Sequence, residues 1–404
     1  MTYMRGLTPR QRMWLVAALI FATLIKLYLA ATTIGTTDID GFWDQLVKAQ
    51  ELGAGAYRVR GPFNNPFNHP PPMIHVLKAL GYVTRVSGIS FRFWLRLVPI
   101  AASLGVFFIV WQLVRDRKDQ FALLLALAVC PISIMVDGYH GNTDSLMIMF
   151  VLLAIYLVET GAGAWLAGLA FGLACCVKIA PLMFVPVFIL YLPHLKSRIQ
   201  FALTAAVVFF VCSLPYLLQD PIAVKNAVFG YQPVYGIWGI SQLLAMFYPV
   251  HPVYANKPYD PTGIHAVFAA VLKYITIAAI CVVSIWMNVK RERPRLFVQC
   301  GIVVAVCLFL TSGWGMQYLV WLMPFVIVLG LRSALIFYIV STVYLVFTYE
   351  GIDESPSKIL ALIGALLSLA AWYTVRIVLS HYRAALKSTS FGHKKAQKAQ
   401  MDFG

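Results

Sequence analysis

Charge is what this chain has least of. Only 12% of its 404 residues are charged, while 60% are hydrophobic. A soluble domain usually carries about 25% charged residues, so a soluble fold with a single anchor is excluded. The chain reads as an all-α polytopic membrane protein. Cysteine is missing from every long polar segment. Cys130, Cys175, Cys176, Cys212, Cys281, Cys300 and Cys307 all fall inside apolar runs, so no disulfide framework is expected. Adjacent Cys175 and Cys176 have neither a second cysteine pair nor a histidine nearby, which weighs against a metal site. No cleavable leader is evident. The apolar run 13–33 is too long for a signal core and no A-x-A site follows it, so it is expected to persist as a first helix. No internal repeat is visible, and many secondary carriers are built from one.

The charge that is present is basic and clustered. Thirty-two Lys and Arg face sixteen Asp and Glu, for a net charge of +16. The basic residues stand in short groups between apolar runs. That is the pattern of topology-setting residues, and no nucleic-acid partner is expected. Twelve spans are predicted, at 13–33, 94–114, 120–136, 145–159, 164–177, 179–193, 199–218, 265–289, 295–311, 318–331, 333–349 and 358–379. The stretch Trp165 to Pro193 is long for one span. Pro181 disfavours helix at Ala180, so two short helices meeting at Lys178 are expected. This keeps the basic clusters on one side, the cytoplasmic side by the positive-inside rule. Residues 1–380 then form one transmembrane domain, with external segments 34–93 and 219–264. The basic tail 381–404 faces the headgroups of membrane lipids.

The first external segment opens on Thr37-Asp38-Ile39-Asp40. Acids at a membrane boundary are costly unless solvated or paired, so such residues tend to mark chemistry or transport. In an extended stretch, Asp38 and Asp40 would point the same way. Phe42, Leu46, Ala49 and Leu52 keep helical spacing and predict an interfacial amphipathic helix. An irregular Pro62 to Pro72 stretch and a second interfacial helix over Met73 to Val86 are expected to follow. Other polar groups belong to the same face: His69, the turn Tyr139 to Ser145, Lys178 at the hairpin tip, and Ser312 to Tyr318. Five segments thus converge outside, which predicts an external active site. A coupled carrier would place such groups at mid-membrane. A twelve-helix transporter or lipid flippase is the alternative, with Lys26 inside the first span its main support. Plainer readings exist for each piece: Asp40 as a helix cap, residues 139–145 as an ordinary turn, Lys178 snorkelling to the interface and His69-Pro70-Pro71-Pro72 as a rigid loop.

Taken in order, these motifs form a recognisable series. An aspartate motif is followed by a Pro-rich stretch, Gly141-Asn142-Thr143-Asp144-Ser145, Val177-Lys178-Ile179-Ala180-Pro181, and Gln317-Tyr318 with Trp321 and Pro324. The series resembles the GT-C superfamily of integral-membrane glycosyltransferases. It looks most like the enzymes that add the first mannose to glycosylphosphatidylinositol. The run His69-Pro70-Pro71-Pro72 is more like bacterial polyprenyl-phosphate-dependent mannosyltransferases. The resemblance implies a bundle of about twelve helices, a polyprenyl-phosphate-sugar donor, a lipid or glycan acceptor, and a single displacement that inverts the anomeric centre. Short loops and the lack of disulfide candidates favour a bacterial or archaeal cytoplasmic membrane, with the endoplasmic reticulum as the eukaryotic equivalent.

An inverting transfer needs a base for the acceptor hydroxyl and a charge for the leaving phosphate. The base is expected to be Asp40, with Asp38 the close alternative. Lys178 is the expected partner of the donor phosphate, helped by His140, His69, Arg58 and Arg60. Asn142 and Asp144 are assigned to sugar hydroxyls or to holding the geometry, and Gln317, Trp314 and Tyr318 to the sugar pocket. Two carboxylates and a histidine can hold a divalent cation. A monophosphate leaving group beside a lysine requires none, so no cofactor or metal is expected.

Overall fold

The computed structural model describes residues 6–59, 67–230, 234–235, 240–241, 244, 263–289 and 293–350. The chain is an all-α polytopic membrane protein. Helix α1 (Pro9–Thr32) opens with a capping box, in which the Thr8 side chain accepts from Gln11 N and the Gln11 side chain from Thr8 N. Two helices then lie in the segment 34–93, α2 (Thr37–Leu52) and α3 (Pro72–Ser87). They are followed by α4 (Phe91–Leu113), α5 (Gln120–Ala128), α6 (Asp144–Glu159), α7 (Ala164–Val177), α8 (Val185–Tyr191), α9 (Leu195–Gln219), α10 (Pro221–Phe229), α11 (Ile264–Val289), α12 (Leu296–Leu310) and α13 (Leu331–Glu350). Among the described residues, five helical stretches are long and apolar enough to cross a membrane: Pro9–Thr32, Phe91–Leu113, Gln120–His140, Leu195–Gln219 and Ile264–Val289. Shorter apolar helices cover Ala164–Val177, Ala180–Tyr191, Leu296–Leu310 and Leu331–Val346. The twelfth expected span, 358–379, and the basic tail lie outside the described residues.

Three expectations change. Residues 120–136 are not one regular helix. The chain breaks at Val129 and Cys130 ahead of Pro131, then continues as a wide π-type turn over Ile134–His140. Residues 318–331 are not a regular span either. They run as a 3₁₀ turn, one α-turn Leu319–Leu322, and a second 3₁₀ turn ended by Gly330 at φ +91°. Pro324 cannot donate a helical hydrogen bond, which accounts for the interruption. Finally, Asp38 and Asp40 stand in the first helical turn of α2, not in an extended stretch. The break between α7 and α8 falls where expected, with Lys178 extended at φ −154° and a 3₁₀ turn over Ala180–Phe184.

The helices pack closely where side chains are small. A Cβ on Gly168 would lie 2.5 Å from Phe201 O, and one on Gly172 would lie 2.8 Å from Ala205 O. These glycines let α7 and α9 meet backbone to backbone. Rings fill the remaining space, Phe188 stacking on Phe201 at 4.9 Å.

Hydrogen bonds sort the connections into two ends. Arg295 bonds Glu159 and, at 2.8 Å, Leu113 O. Arg293 bonds Tyr191 O at 3.3 Å, and Arg117 bonds Val328 O at 3.1 Å. These arginines gather one set of helix ends. At the opposite end a buried arginine does similar work. Arg96 Nη1 donates to Leu29 O, Ala30 O and Thr33 O at 3.0, 3.2 and 3.0 Å, tying α4 to the carbonyls at the end of α1. The segment 34–93 docks on the same end, with Ala54 N donating to Gln219 Oε1 at 3.0 Å. A two-residue antiparallel ladder there pairs β1 (Val234–Tyr235) with β2 (Gly313–Trp314).

Candidate functional site

The site forms where α2 begins. Its N-cap residue, Thr36, does not cap the helix with its side chain. Its hydroxyl instead donates to His140 O at 3.1 Å, tying α2 to the π-type turn. The helix therefore starts at Thr37. Two residues of helix separate side chains by about 200°, so Asp38 and Asp40 face different surroundings. Asp40 is half-exposed and bonds Arg92 at 2.9 Å. Asp38 turns toward His140 and Asn142. Its Oδ2 accepts from His140 Nε2 at 3.0 Å and from Asn142 Nδ2 at 2.6 Å. The Asp38 side chain keeps 39% of its surface open.

Burial opposes ionisation of Asp38. The hydrogen bonds from His140 and Asn142 and the more distant charge of Lys178 outweigh it. Together they hold this carboxyl well below the ordinary carboxylate range.

The turn that presents these partners is built from unusual backbone. Gly141 sits at φ +78°, and a Cβ there would meet Ile39 Cδ1 at 2.8 Å. Only glycine adopts that conformation freely and lets α2 approach so closely. Asn142 is fixed by its own turn, with Thr143 N donating to its Oδ1 at 2.7 Å.

A second, deeper pair stands beside the first. Lys178 Nζ reaches both oxygens of Asp144 at 3.0 Å, and both side chains are buried. The indole of Trp321 donates to the same Asp144 carboxylate. Tyr318 stacks on Trp321 at 4.0 Å, and the Lys178 ammonium lies 5.2 Å from the Tyr318 ring centre. Asp144 thus orients the lysine, while the aromatic pair screens it from water.

His69 closes this side. Its Nδ1 lies 3.0 Å from Val177 O, next to Lys178, and its backbone carbonyl accepts from Tyr57 OH at 3.0 Å. Phe42 and Phe67 pack on its ring at 4.9 and 5.3 Å. Burial and then the nearby Lys178 charge push its pKa down to about 4, so it is neutral at neutral pH.

The structure thus brings Asp38, His69, His140, Asn142, Asp144, Lys178 and Tyr318 to one end of the bundle. Other expected members stand elsewhere. Arg58 is exposed and engaged by Asp220, which also caps α10. Gln317 is half-buried in its 3₁₀ turn with no hydrogen bond to the cluster. Trp314 is described only by its backbone, paired with Val234. Arg60 lies outside the described residues. Among the described residues, no group of three or more His, Cys, Asp or Glu stands within reach of one metal ion.

Two participants left no mark in the sequence. Asp137, in the π-type turn, accepts from Ser145 through Oδ1, and from Ser133 (2.5 Å) and Lys26 (3.2 Å) through Oδ2. Lys26 also donates to Ser103 and Ser133 at 2.7 and 2.6 Å. This network braces the turn from below. Tyr349, near the end of α13, places its hydroxyl 2.8 Å from His140 Nδ1. Neither Asp137 nor Tyr349 belongs to a motif, and the lysine that pairs with Asp137 and the histidine that meets Tyr349 lie 111 and 209 residues away in the chain.

Among curated proteins, none matches the chain. The family model described as dolichyl-phosphate-mannose-protein mannosyltransferase matches residues 68–218, about a third of the chain. That stretch contains His69, His140, Asn142, Asp144 and Lys178. With the apolar helices around them, the match supports a membrane glycosyltransferase of the GT-C type.

Proposed function

We propose that the chain transfers a hexose, mannose in the first instance, from a polyprenyl-phosphate-linked donor to a lipid or glycan acceptor. Transfer takes place on the non-cytoplasmic face, with inversion and without a metal. The observation that carries this reading is the bonding of Asp38. Two donors anchor its Oδ2, while among the described residues Oδ1 accepts no hydrogen bond on a side chain that is partly open. A carboxylate held by one oxygen and free at the other suits a general base. Asp38, rather than Asp40, is therefore the proposed base, because Asp40 is drawn to the surface by Arg92.

In this mechanism the acceptor hydroxyl oxygen attacks the anomeric carbon. The bond from that carbon to the phosphate oxygen breaks, and its electron pair leaves with the polyprenyl phosphate. The hydroxyl proton passes to Asp38 Oδ1. Lys178 faces the leaving phosphate as its charge grows. Asp144 and Trp321 keep the lysine in place, and Asn142 holds the base. The aromatic pair Tyr318 and Trp321 suits a sugar face.

The test is transfer of radiolabelled mannose from a synthetic short-chain polyprenyl-phosphate mannose into membrane lipids. Purified wild type is run beside Asp38→Asn and Asp40→Asn, with and without EDTA. Transfer lost in Asp38→Asn, kept in Asp40→Asn and indifferent to EDTA supports the reading. No transfer and no donor binding with any polyprenyl-phosphate sugar overturns it.

A further inference from the structure

His140 is held at both nitrogens. Nε2 lies 3.0 Å from Asp38 Oδ2, and Nδ1 lies 2.8 Å from the hydroxyl of Tyr349. A carboxylate only accepts, so the Nε2 contact requires a proton on Nε2. That leaves Nδ1 as an acceptor if the ring is neutral, and a phenol O–H can donate to it. The surroundings fix both partners. The Tyr349 ring packs on Tyr139 at 5.2 Å and on His140 at 5.6 Å. The His140 carbonyl is held by Thr36, and the His140 side chain is buried. The hydroxyl, the imidazole and the carboxylate form a chain running from α13 through the π-type turn to the start of α2.

We infer that Tyr349 is a positioning residue for Asp38, and that it acts by locking His140 as the neutral Nε2–H tautomer. The inference rests on the proposed role of Asp38 as base. The lock has a chemical purpose. A neutral imidazole donating through Nε2 orients the carboxylate and leaves its negative charge intact. An imidazolium in the same place would neutralise it and make a poorer base. The third member of the arrangement thus comes from the last described helix, 209 residues further along the chain than His140.

The test uses the full-length protein in detergent with Tyr349→Phe, which removes one oxygen and leaves the ring packing in place. The expected result is a kcat lowered about 10-fold, with KM for donor and acceptor within twofold of wild type and a thermal midpoint within a few degrees. A residue that only supports the fold would lower the midpoint instead. An independent reading comes from ¹⁵N shifts of histidine-labelled wild type, with His140 assigned by its loss in His140→Gln. A protonated Nε2 and an unprotonated Nδ1 are expected at neutral pH, and the variant should lose that fixed pattern. A protonated Nδ1 in wild type overturns the inference, as does unchanged kcat in Tyr349→Phe. The shifts are measured without substrate. Should no sugar donor be turned over, the function falls while the tautomer is still decided.

Discussion

At the scale of the residue, two acids that look equivalent in the chain are separated by their neighbours. Asp38→Asn keeps the Asn142 and His140 environment but removes the base. Its kcat is expected to fall by roughly 10² to 10⁴, the usual worth of a general base. Asp40→Asn, which breaks only an exposed pair with Arg92, is expected to stay within a few-fold. Initial rates of mannose transfer by the two variants check this. His69 gives a prediction of a different kind. Its folded pKa of about 4 lies below the ordinary histidine value of about 6.5, so between those values the unfolded chain binds the extra proton. Stability therefore falls as pH drops from 6.5 to about 4 and levels off below. The loss amounts to roughly 3 kcal/mol from this group. Thermal midpoints across pH 4 to 8 should show the slope, and His69→Gln should flatten it.

At the scale of the element, the site depends on where helices fail to be regular. The π-type turn Ile134–His140 ends at Gly141, and such turns recur at functional sites because they re-aim side chains. Here the turn aims Asp137 downward to Lys26 and His140 outward to Asp38. Gly141→Ala must accept a positive φ and a contact of 2.8 Å with Ile39. A cost of about 1–3 kcal/mol is expected for the backbone alone. The thermal midpoint should drop, and transfer should fall further than stability explains, because His140 and Asn142 move with the turn. The break at Lys178 acts similarly. An extended residue between α7 and the 3₁₀ turn lets one lysine meet Asp144 deep in the protein rather than snorkel to water.

At the scale of the whole molecule, two buried ion pairs among the described residues tie distant helices together. Lys26 and Asp137 join α1 to the π-type turn, and Lys178 and Asp144 join the α7 break to α6. Breaking a buried pair from one side leaves a charge without its counter-ion and costs about 3–5 kcal/mol. Lys26→Met should therefore lower the unfolding midpoint strongly. The double variant Lys26→Met/Asp137→Leu should recover most of the loss. Thermal denaturation of both in detergent decides it. A double variant no more stable than the single one would refute the pair as the source. Engaged by an acid and two serines, Lys26 also loses its standing as the main support for a carrier.

The apolar runs alone determined that this chain enters a membrane and roughly where its helices lie, because burying uninterrupted hydrocarbon overrides other local preferences. The order of the short motifs also pointed to the sugar-transfer family and to most of the clustered residues. Which acid faces the cluster was not legible. That depends on whether α2 starts at Thr37 or near Phe42, and the bond from Thr36 to the His140 carbonyl, 104 residues away, sets the start. Asp137 and Tyr349 were invisible for the same reason, since a polar residue beside an apolar run carries no record of its partner. Arg58 looked suited to a phosphate by charge alone, but the fold set it against Asp220. Hydrophobic pattern is local and survives in one dimension. Hydrogen-bond partners are chosen by proximity, and only the packed helices create that.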